Sequence, residues 1–330
     1  MLKKAMIMAA GVGSRLGALS DVTPKPLVPL ANMATMDIIA KNLYSNNIKD
    51  VIANTYYKSE DIENYYKNNF LGIKFNFIKE ETLSGTAGGL KKCQFFFEPG
   101  EDFIVMSGDG LSDIDIQDAY ISHKKSGAIA TIVIKAVEET QIPMYGIVVP
   151  DSEGIVSSFQ EKPSIENAKS NLANTGIYIF NYAVFKYIPA DTFYDFAKNV
   201  FPAVMNAGIK INTYIHKGYW SDIGSISQYK QSNSDIINNL ISSIQLNSLK
   251  SENGKYVCGA NFEASSTSRI NGNNVFGNNC KLGENCTVTN SIIWDNVKVE
   301  DSIILPGVTV KSSVNESILT AQTEKIEQPV

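Results

Sequence analysis

The sequence predicts an α/β fold, a mainly parallel sheet covered on both faces by helices, followed by a short β-helix. Three observations carry this. Over the first 240 or so residues, apolar runs alternate with helix-like segments, which is the pattern of strand–helix units. The first apolar run, Ala5-Met6-Ile7-Met8, leads straight into the glycine-containing stretch Ala9-Ala10-Gly11-Val12-Gly13-Ser14-Arg15-Leu16. Near the C-terminus apolar side chains recur at short regular steps, at Phe276, Leu282 and Val288 and then at Ile293, Val299, Ile304 and Val310.

In chain order, the strands are expected at Ala5–Ala9, Asp50–Asn54, Ile73–Ile78, Asp102–Met106, Ala128–Ile134, Tyr145–Pro150, Gly176–Phe180 and Asn212–His216. The helices are expected at Met36–Asn46, Ser59–Asn69, Ala87–Phe96, Ile116–Ser126, Tyr182–Tyr187 and Phe193–Ala207. The alternation gives a Rossmann-like arrangement, in which ligands sit at the carboxyl ends of the strands. The glycine stretch after Met8 is in that position. Lys230–Leu246 reads as a polar linker helix. Beyond it, the six-residue step, the β-branched bias and the small residues Gly277, Cys280, Gly283 and Cys286 describe about three or four coils of β-helix. Residues 1–240 are therefore expected to form the α/β domain and 241–330 the β-helix, with a polar, frayed tail from Ala321.

Composition removes several classes. The chain has 330 residues, 44% hydrophobic and 19% charged, with a net charge of -5 and no basic block, which argues against a nucleic-acid or membrane surface. No apolar run approaches the roughly 20 residues of a membrane helix. Met1-Leu2-Lys3-Lys4 runs directly into the first strand, so a cleavable signal peptide is not expected. Cys93, Cys258, Cys280 and Cys286 form no CxxC pair and read as reduced residues of a cytoplasmic protein. The two histidines, His123 and His216, are too far from them in sequence to suggest zinc. His123, beside Lys124-Lys125, reads as a surface residue, and Phe95-Phe96-Phe97 as core.

The glycine stretch has a physical reading of its own. Glycines let backbone N–H groups approach an anion closely, and a helix start behind them adds a favourable dipole. Arg15 and Lys25 follow, the latter held between Pro24 and Pro26, whose rings stiffen the backbone so that the ammonium can be aimed. Together they describe a site for a polyphosphate. A dinucleotide fingerprint is excluded, because G-x-G-x-x-G needs glycine at position 16, where Leu16 stands.

The stretch Gly11–Leu16 with Pro24-Lys25-Pro26-Leu27 resembles the signature of the sugar-phosphate nucleotidyltransferases, the nucleoside-diphosphate-sugar pyrophosphorylases. The resemblance continues over about 230 residues through Gly85-Thr86-Ala87-Gly88-Gly89, Ser107-Gly108-Asp109-Gly110, Tyr145-Gly146, Glu161-Lys162-Pro163, Asn174-Thr175-Gly176-Ile177-Tyr178 and Tyr219-Trp220-Ser221-Asp222-Ile223-Gly224. It implies a left-handed β-helix for the C-terminal coils. It also implies joining of a nucleoside triphosphate to a sugar 1-phosphate with release of pyrophosphate, a reaction governed by positioning and charge neutralisation.

By this resemblance Ala10, Gly11, Gly13, Ser14 and Arg15 would hold the nucleotide phosphates, Arg15 bracing the leaving pyrophosphate and Lys25 the reacting centre. Asp109 and Asp222 would hold Mg²⁺, a hard cation suited to carboxylate and phosphate oxygens. Glu161, Gly146 and Asn174 would take the sugar, with Lys162 on its phosphate and Tyr145 packed beside them. Asp113 and Asp115 read as solvated or capping. The base would be read near Glu81, Gly85 and Thr86, since a carboxylate can accept from guanine N1 and N2 whereas uracil or thymine offers one N–H donor. Glu81, the tract Ser170–Gly176 and the β-helix look most like mannose-1-phosphate guanylyltransferases. The alternatives are UTP or dTTP with glucose 1-phosphate, and a non-catalytic regulatory subunit. An acyltransferase built on the β-helix is disfavoured, because no histidine follows His216. The open ends of a short β-helix imply a homodimer or homotetramer formed through the C-terminal domain.

Overall fold

The computed structural model describes residues 2–17, 19–20, 23–68, 70–244 and 248–320. The chain runs β1 (Lys4–Met8), the hairpin β2 (Pro29–Leu30) and β3 (Met33–Ala34), α1 (Thr35–Ser45), β4 (Asp50–Thr55), α2 (Ser59–Tyr66), β5 (Lys74–Lys79) and α3 (Gly85–Lys92). It continues with β6 (Asp102–Ser107), β7 (Gly110–Ser112), α4 (Ile116–Ser126), β8 (Ala130–Ala136), β9 (Gly146–Pro150), β10 (Val156–Glu161), β11 (Leu172–Asn181), α5 (Phe201–Asn206), β12 (Ile211–Ile215), β13 (Trp220–Asp222) and α6 (Ile226–Ile237).

The described residues fall into two compact units, Met1–Val28 with Thr35–Gly224, and Pro29–Ala34 with Ser225–Val330. The first is built on a mixed sheet of order β10-β9-β11-β6-β1-β4-β5, with β8 joining β11 to β12. β6, β1, β4 and β5 are mutually parallel, and β11 runs antiparallel to β6. Alternate residues feed two cores. Met6, Ile52 and Val105 lie in one, and Ala5, Ile7, Val51, Ala53, Ile104 and Met106 in the other. Both faces are thus buried, which is why these strands read as continuous apolar runs. β1 and β6 are adjacent and in register, Met8 beside Ser107, so the loops that follow them leave the sheet at the same edge.

Most boundaries lie within a few residues of expectation, and α4 spans the expected residues. β10 was not anticipated, because Val156–Glu161 is half-exposed and has no apolar run. Phe193–Ala207 is not one helix but a π turn at Phe196–Val200 continuing into α5. Phe95 is not core: it stands 74% exposed on a 3₁₀ turn (Gln94–Phe96), whereas Phe97 stacks on Phe103 with centroids 3.9 Å apart.

His123 corrects the sequence reading most directly. It is 3% exposed, with Nδ1 2.8 Å from Thr131 Oγ1 and Nε2 3.8 Å from Asp102. Two lysines beside it in sequence suggested solvent, but α4 turns His123 inward to a buried polar group. Asp102 also accepts from Lys124 Nζ at 2.8 Å, Asn181 Nδ2 at 2.8 Å and Tyr120 Oη at 3.2 Å.

The second unit opens with α6, whose Asn233 Oδ1 accepts from the hairpin amide Ala31 N at 2.9 Å. The expected linker helix therefore starts earlier, ends by Asn238, and is amphipathic rather than polar, with Tyr229, Ile236 and Ile237 buried; Gln245 and Leu246 lie outside the described residues. The following strands form three parallel ladders. β15 (Gly254–Cys258), β18 (Asn274–Phe276), β21 (Ile292–Ile293) and β24 (Thr309–Val310) stack in one, antiparallel β14 (Leu249–Ser251) flanking β15. β16 (Glu263–Ala264), β19 (Lys281–Leu282), β22 (Lys298–Glu300) and β25 (Val314–Asn315) form the second, and β17 (Arg269–Asn271), β20 (Thr287–Thr289), β23 (Ile303–Ile304) and β26 (Ile318–Leu319) the third.

This is a β-helix. Its first repeat advances 18 residues, Arg269 to Thr287, and later ones 16 and 15, to Ile303 and Ile318. Asn261, Asn279 and Asn296 occupy left-handed corners, and their amides form a ladder, Asn261 Nδ2 to Asn279 Oδ1 at 2.9 Å and Asn279 Nδ2 to Asn296 Oδ1 at 3.0 Å. The four cysteines are free, and the expected frayed tail lies outside the described residues. No helix among the described residues is long and apolar enough to cross a membrane.

Burial alone would raise the Asp102 carboxyl, but His123, Lys124 and Asn181 outweigh it and hold the group well below the usual carboxylate range. A depressed carboxyl stabilises the fold above its unfolded value and loses that contribution as pH falls. Asp102→Asn is therefore expected to cost about 2–4 kcal/mol at pH 7, with the difference from wild type shrinking below about pH 4. Urea unfolding between pH 7 and pH 3 checks this, and a pH-independent difference would refute it.

Candidate active site

The glycine turn begins at the end of β1. Ala9 N donates to Asn54 O and Asn54 Oδ1, both at 3.2 Å, fixing where the backbone leaves the sheet, and Ala10 is buried behind it. Gly11, Ser14 and Arg15 are exposed. The helix expected behind them is only a 3₁₀ turn, Ser14–Leu16, so the backbone dipole at this point is small. Gly13 adopts φ 75°, and a Cβ there would lie 3.2 Å from both Lys25 Cβ and Ser20 Cβ. The second glycine thus lets the turn close over the stem of Lys25.

Lys25 heads another 3₁₀ turn, Lys25–Leu27, closed by Leu27 N to Pro24 O at 2.8 Å. Its side chain is buried and forms an ion pair with Asp109 Oδ2. Asp109 follows β6 through Gly108, whose amide donates to Met8 O at 2.9 Å and where a Cβ would stand 2.6 Å from that oxygen. Asp109 Oδ1 accepts from Ser107 Oγ. Burial alone would raise the Asp109 carboxyl, but Lys25 and the Ser107 hydroxyl keep it below its usual value.

β13 brings in Asp222, opposite Gly110 on β7, with Ile223 N donating to Asp109 O at 3.0 Å. Tyr145 Oη donates to Asp222 Oδ1 at 3.1 Å, and the Tyr145 ring meets Trp220 edge-to-face at 5.0 Å. Burial and the neighbouring Asp109 charge push the Asp222 carboxyl up, partly offset by Tyr145, Lys25 and Arg15. Two carboxylates that disfavour each other's charge, both offering hard oxygens, fit a divalent cation that also takes phosphate or water oxygens. Among the described residues no third acidic, histidine or cysteine side chain joins them.

Gly146, Glu161, Lys162 and Asn174, the residues expected on the sugar side, lie on the other arm of the sheet. Gly146 pairs with Glu161 across β9 and β10, and a Cβ at 146 would stand 3.3 Å from Glu161 Oε2. Lys162 holds a left-handed φ of 46°, and its amide donates to Tyr145 O at 3.2 Å. Both Glu161 and Lys162 are exposed. Asn174 lies at an irregularity of β11 and accepts from Gly176 N at 3.2 Å. Tyr145 therefore joins the two groups, its carbonyl on Lys162 and its hydroxyl on Asp222. Sequence reading assigned it packing alone.

Asp113 is the other reading that needs correction. Asp113 is not solvated: it accepts from Tyr219 N at 2.7 Å and lies 3.2 Å from His216 Nε2, clamping the approach to β13. Asp115 caps α4 through Asp118 N at 3.0 Å, as expected. Glu81 is exposed, whereas Glu80 is buried and fully bonded. Gly85 packs on backbone, since a Cβ there would lie 2.5 Å from Tyr194 O. Thr86 Oγ1 donates to Asp195 Oδ2 at 2.9 Å and accepts from Phe196 N at 3.0 Å.

A family model described as nucleotidyl transferase matches residues 4–239. The chain belongs to the nucleotidyl transferase family. A UTP–glucose-1-phosphate uridylyltransferase from Synechocystis sp. is 31% identical over 322 residues, covering 88% of this chain and 83% of that protein. A glucose-1-phosphate adenylyltransferase from Desulfitobacterium hafniense is 31% identical over 255 residues, and the match covers 71% of this chain and 64% of that protein. Among solved structures, UDP-glucose pyrophosphorylase from Acinetobacter baumanii superposes with a TM-score of 0.64 at 20% identity, covering 72% and 94% of the two chains. HddC from Yersinia pseudotuberculosis complexed with GMP-PN gives 0.61 at 24% identity, covering 71% and 99%. Both share the fold of this nucleotidyl transferase.

Tyr145→Phe keeps the ring on Trp220 but removes the hydroxyl that lowers Asp222. Nucleotidyl transfer is expected to fall about tenfold, the effect of roughly 1.4 kcal/mol. The acid limb of the pH–rate profile should move to higher pH, because Asp222 then takes up a proton more readily. Unchanged turnover and an unmoved acid limb would show that this hydroxyl does not position Asp222.

Proposed function

We propose that this nucleotidyl transferase acts on a sugar 1-phosphate and a nucleoside triphosphate, forming the nucleoside-diphosphate sugar and pyrophosphate. The observation that carries the reading is the Lys25–Asp109 ion pair beneath the glycine turn with Asp222 at its side. A sugar-phosphate oxygen attacks the α-phosphorus, the bond to the α–β bridging oxygen breaks, and the electron pair leaves on pyrophosphate. Arg15, exposed on the turn, is assigned to the β- and γ-phosphates. Lys25 is assigned to the reacting centre, and Lys162 to the attacking phosphate. Glu161, with Gly146 and Asn174, is assigned to sugar hydroxyls. Asp109 and Asp222 are the groups that would hold Mg²⁺, which when bound supplies charge neutralisation at the α-phosphate.

Glucose 1-phosphate with UTP is the first pair to test, because a uridylyltransferase aligns over nearly nine-tenths of the chain and the adenylyltransferases also act on glucose 1-phosphate by name. The GTP and mannose 1-phosphate pair is the second reading. It is favoured by Glu81, whose exposed carboxylate has no partner among the described residues and is free to accept from guanine. A matrix of five nucleoside triphosphates against glucose, mannose and other hexose 1-phosphates, read by pyrophosphate release, decides between them. Lys25→Ala and Asp222→Asn should each lower turnover by at least about a hundredfold with the far-ultraviolet spectrum unchanged. Retained turnover in both would reject the assignment.

We further propose that the β-helix assembles a homodimer or homotetramer. Ile303 and Ile318 are adjacent in one ladder, and both are exposed. Ile318→Lys should lower the sedimentation-equilibrium mass to that of a single chain; an unchanged mass would place the interface elsewhere.

A further inference from the structure

Asn54 and Glu80 form a buried polar bridge behind the glycine turn, apart from the Lys25–Asp109 ion pair. Asn54 sits in β4 at 4% exposure and Glu80 just after β5 at 2%. Asn54 Oδ1 accepts from Ala9 N at 3.2 Å, and its Nδ2 donates to Glu80 Oε1 at 2.6 Å. Glu80 Oε2 accepts from Ser84 N at 3.1 Å, from Ser84 Oγ and from Lys92 Nζ at 2.9 Å. Burial alone would raise this carboxyl, but Ser84, Asn54 and Lys92 together hold it below its usual value, so it is anionic at neutral pH.

The glycines of α3 are shaped to this bridge. A Cβ at Gly89 would stand 2.6 Å from Asn54 Nδ2 and 3.2 Å from Glu80 Oε1, and one at Gly88 would stand 2.8 Å from Ser84 Cβ. Two glycines inside a helix are unfavourable by about 1 kcal/mol each relative to alanine, and here they let the helix lie against the bridge. Ser84 is the N-cap of α3 yet makes no side-chain cap bond; its hydroxyl is turned to Glu80, and the amides of Ala87 and Gly88 bond Tyr194 O instead, at 3.0 and 3.1 Å. One chain of hydrogen bonds therefore runs from the first amide of the glycine turn to the first residue of the Ser84-Gly85 turn.

We propose that Asn54 and Glu80 are positioning residues that set the distance between the phosphate-binding turn and the base-binding turn, and so determine nucleoside triphosphate affinity. This rests on the nucleotidyl-transfer reading above. The bridge has a fixed polarity. Asn54 must present oxygen to Ala9 and hydrogen to Glu80, and Glu80 must accept from both sides. Glu80→Gln gives the middle bond two donors or frees Ala9 by flipping the Asn54 amide. Asn54→Asp sets two carboxylates against each other. Combined, they restore every donor–acceptor match with the roles reversed, and the total charge is unchanged.

The test is steady-state kinetics on wild type, Asn54→Asp, Glu80→Gln and the double variant, with nucleotide Kd by titration calorimetry. Each single substitution is expected to raise the KM and Kd for the nucleoside triphosphate at least tenfold, with kcat and the KM for the sugar 1-phosphate within threefold of wild type. The double variant is expected to return to within threefold of wild type. Singles that lose thermal stability but keep nucleotide KM and Kd would overturn the proposal, as would a well-folded double variant that binds as weakly as the singles. If a single variant fails to fold, the double variant alone decides by the same threshold. Wild type that turns over with no triphosphate fails the functional reading instead, and the Kd values still test the bridge.

Discussion

The ion pair between Lys25 and Asp109 is the contact around which the site is organised. Placing a lysine and a carboxylate together away from bulk water costs desolvation that their attraction only partly returns. Its persistence needs further bonds, and the surroundings provide them. Ser107 bonds the second carboxylate oxygen, and Gly13 closes on the lysine stem. Asp222 adds a second negative group beside the pair, and Arg15 a second positive one close enough to lower it. The cluster thus presents both signs of charge before substrate enters. A polyphosphate with a divalent cation brings in both signs at once and can join it without leaving either unpaired.

That cluster exists because β1 and β6 are parallel neighbours. Their register sets Met8 beside Ser107, so the turns that follow start about one strand spacing, roughly 4.8 Å, apart. The approach is closed further by Gly108, where any side chain would meet the Met8 carbonyl. A glycine in the Asp109 motif therefore serves backbone packing, and the neighbouring aspartate profits from the position this secures.

How much of this is legible in the sequence depends on the kind of interaction. β1, β4 and β6 are visible because both their faces are buried and their apolar runs are unbroken. The coils are visible because Phe276, Leu282 and Val288 are answered one coil later by Ile293, Val299 and Ile304, the residues on which they stack. Arg15, Lys25, Asp109 and Asp222 stand out through motif residues, and the structure gathers Lys25, Asp109 and Asp222. Buried polar partnerships are not visible. His123 and Asp113 look solvated beside charged or turn residues, yet each bonds a residue distant in sequence, Thr131 or Asp102 for one and Tyr219 for the other. Glu80 and Glu81 are indistinguishable as letters. The alternation at the end of β5 turns one inward and leaves the other in solvent. The hairpin Pro29–Ala34 is likewise silent about belonging to the unit of Ser225–Val330, because its membership is set by α6 through Asn233.

The walls of the site share one construction. Asp109 and Glu80 stand just past strand ends and Asp222 closes a short strand, and at each a polar bridge fixes the placement. Ser107 and Lys25 hold Asp109, Tyr145 holds Asp222, Asp113 and His216 hold the strand that carries Asp222, and Asn54 with Glu80 links the glycine turn to the Ser84-Gly85 turn. Apolar packing is non-directional and tolerates exchanges that conserve volume. A hydrogen-bonded bridge is the reverse, because reversing one donor leaves a buried group unmatched. The geometry of this site is therefore sensitive to exchanges that conserve volume but reverse a donor or acceptor, amide for carboxylate or phenyl for phenol.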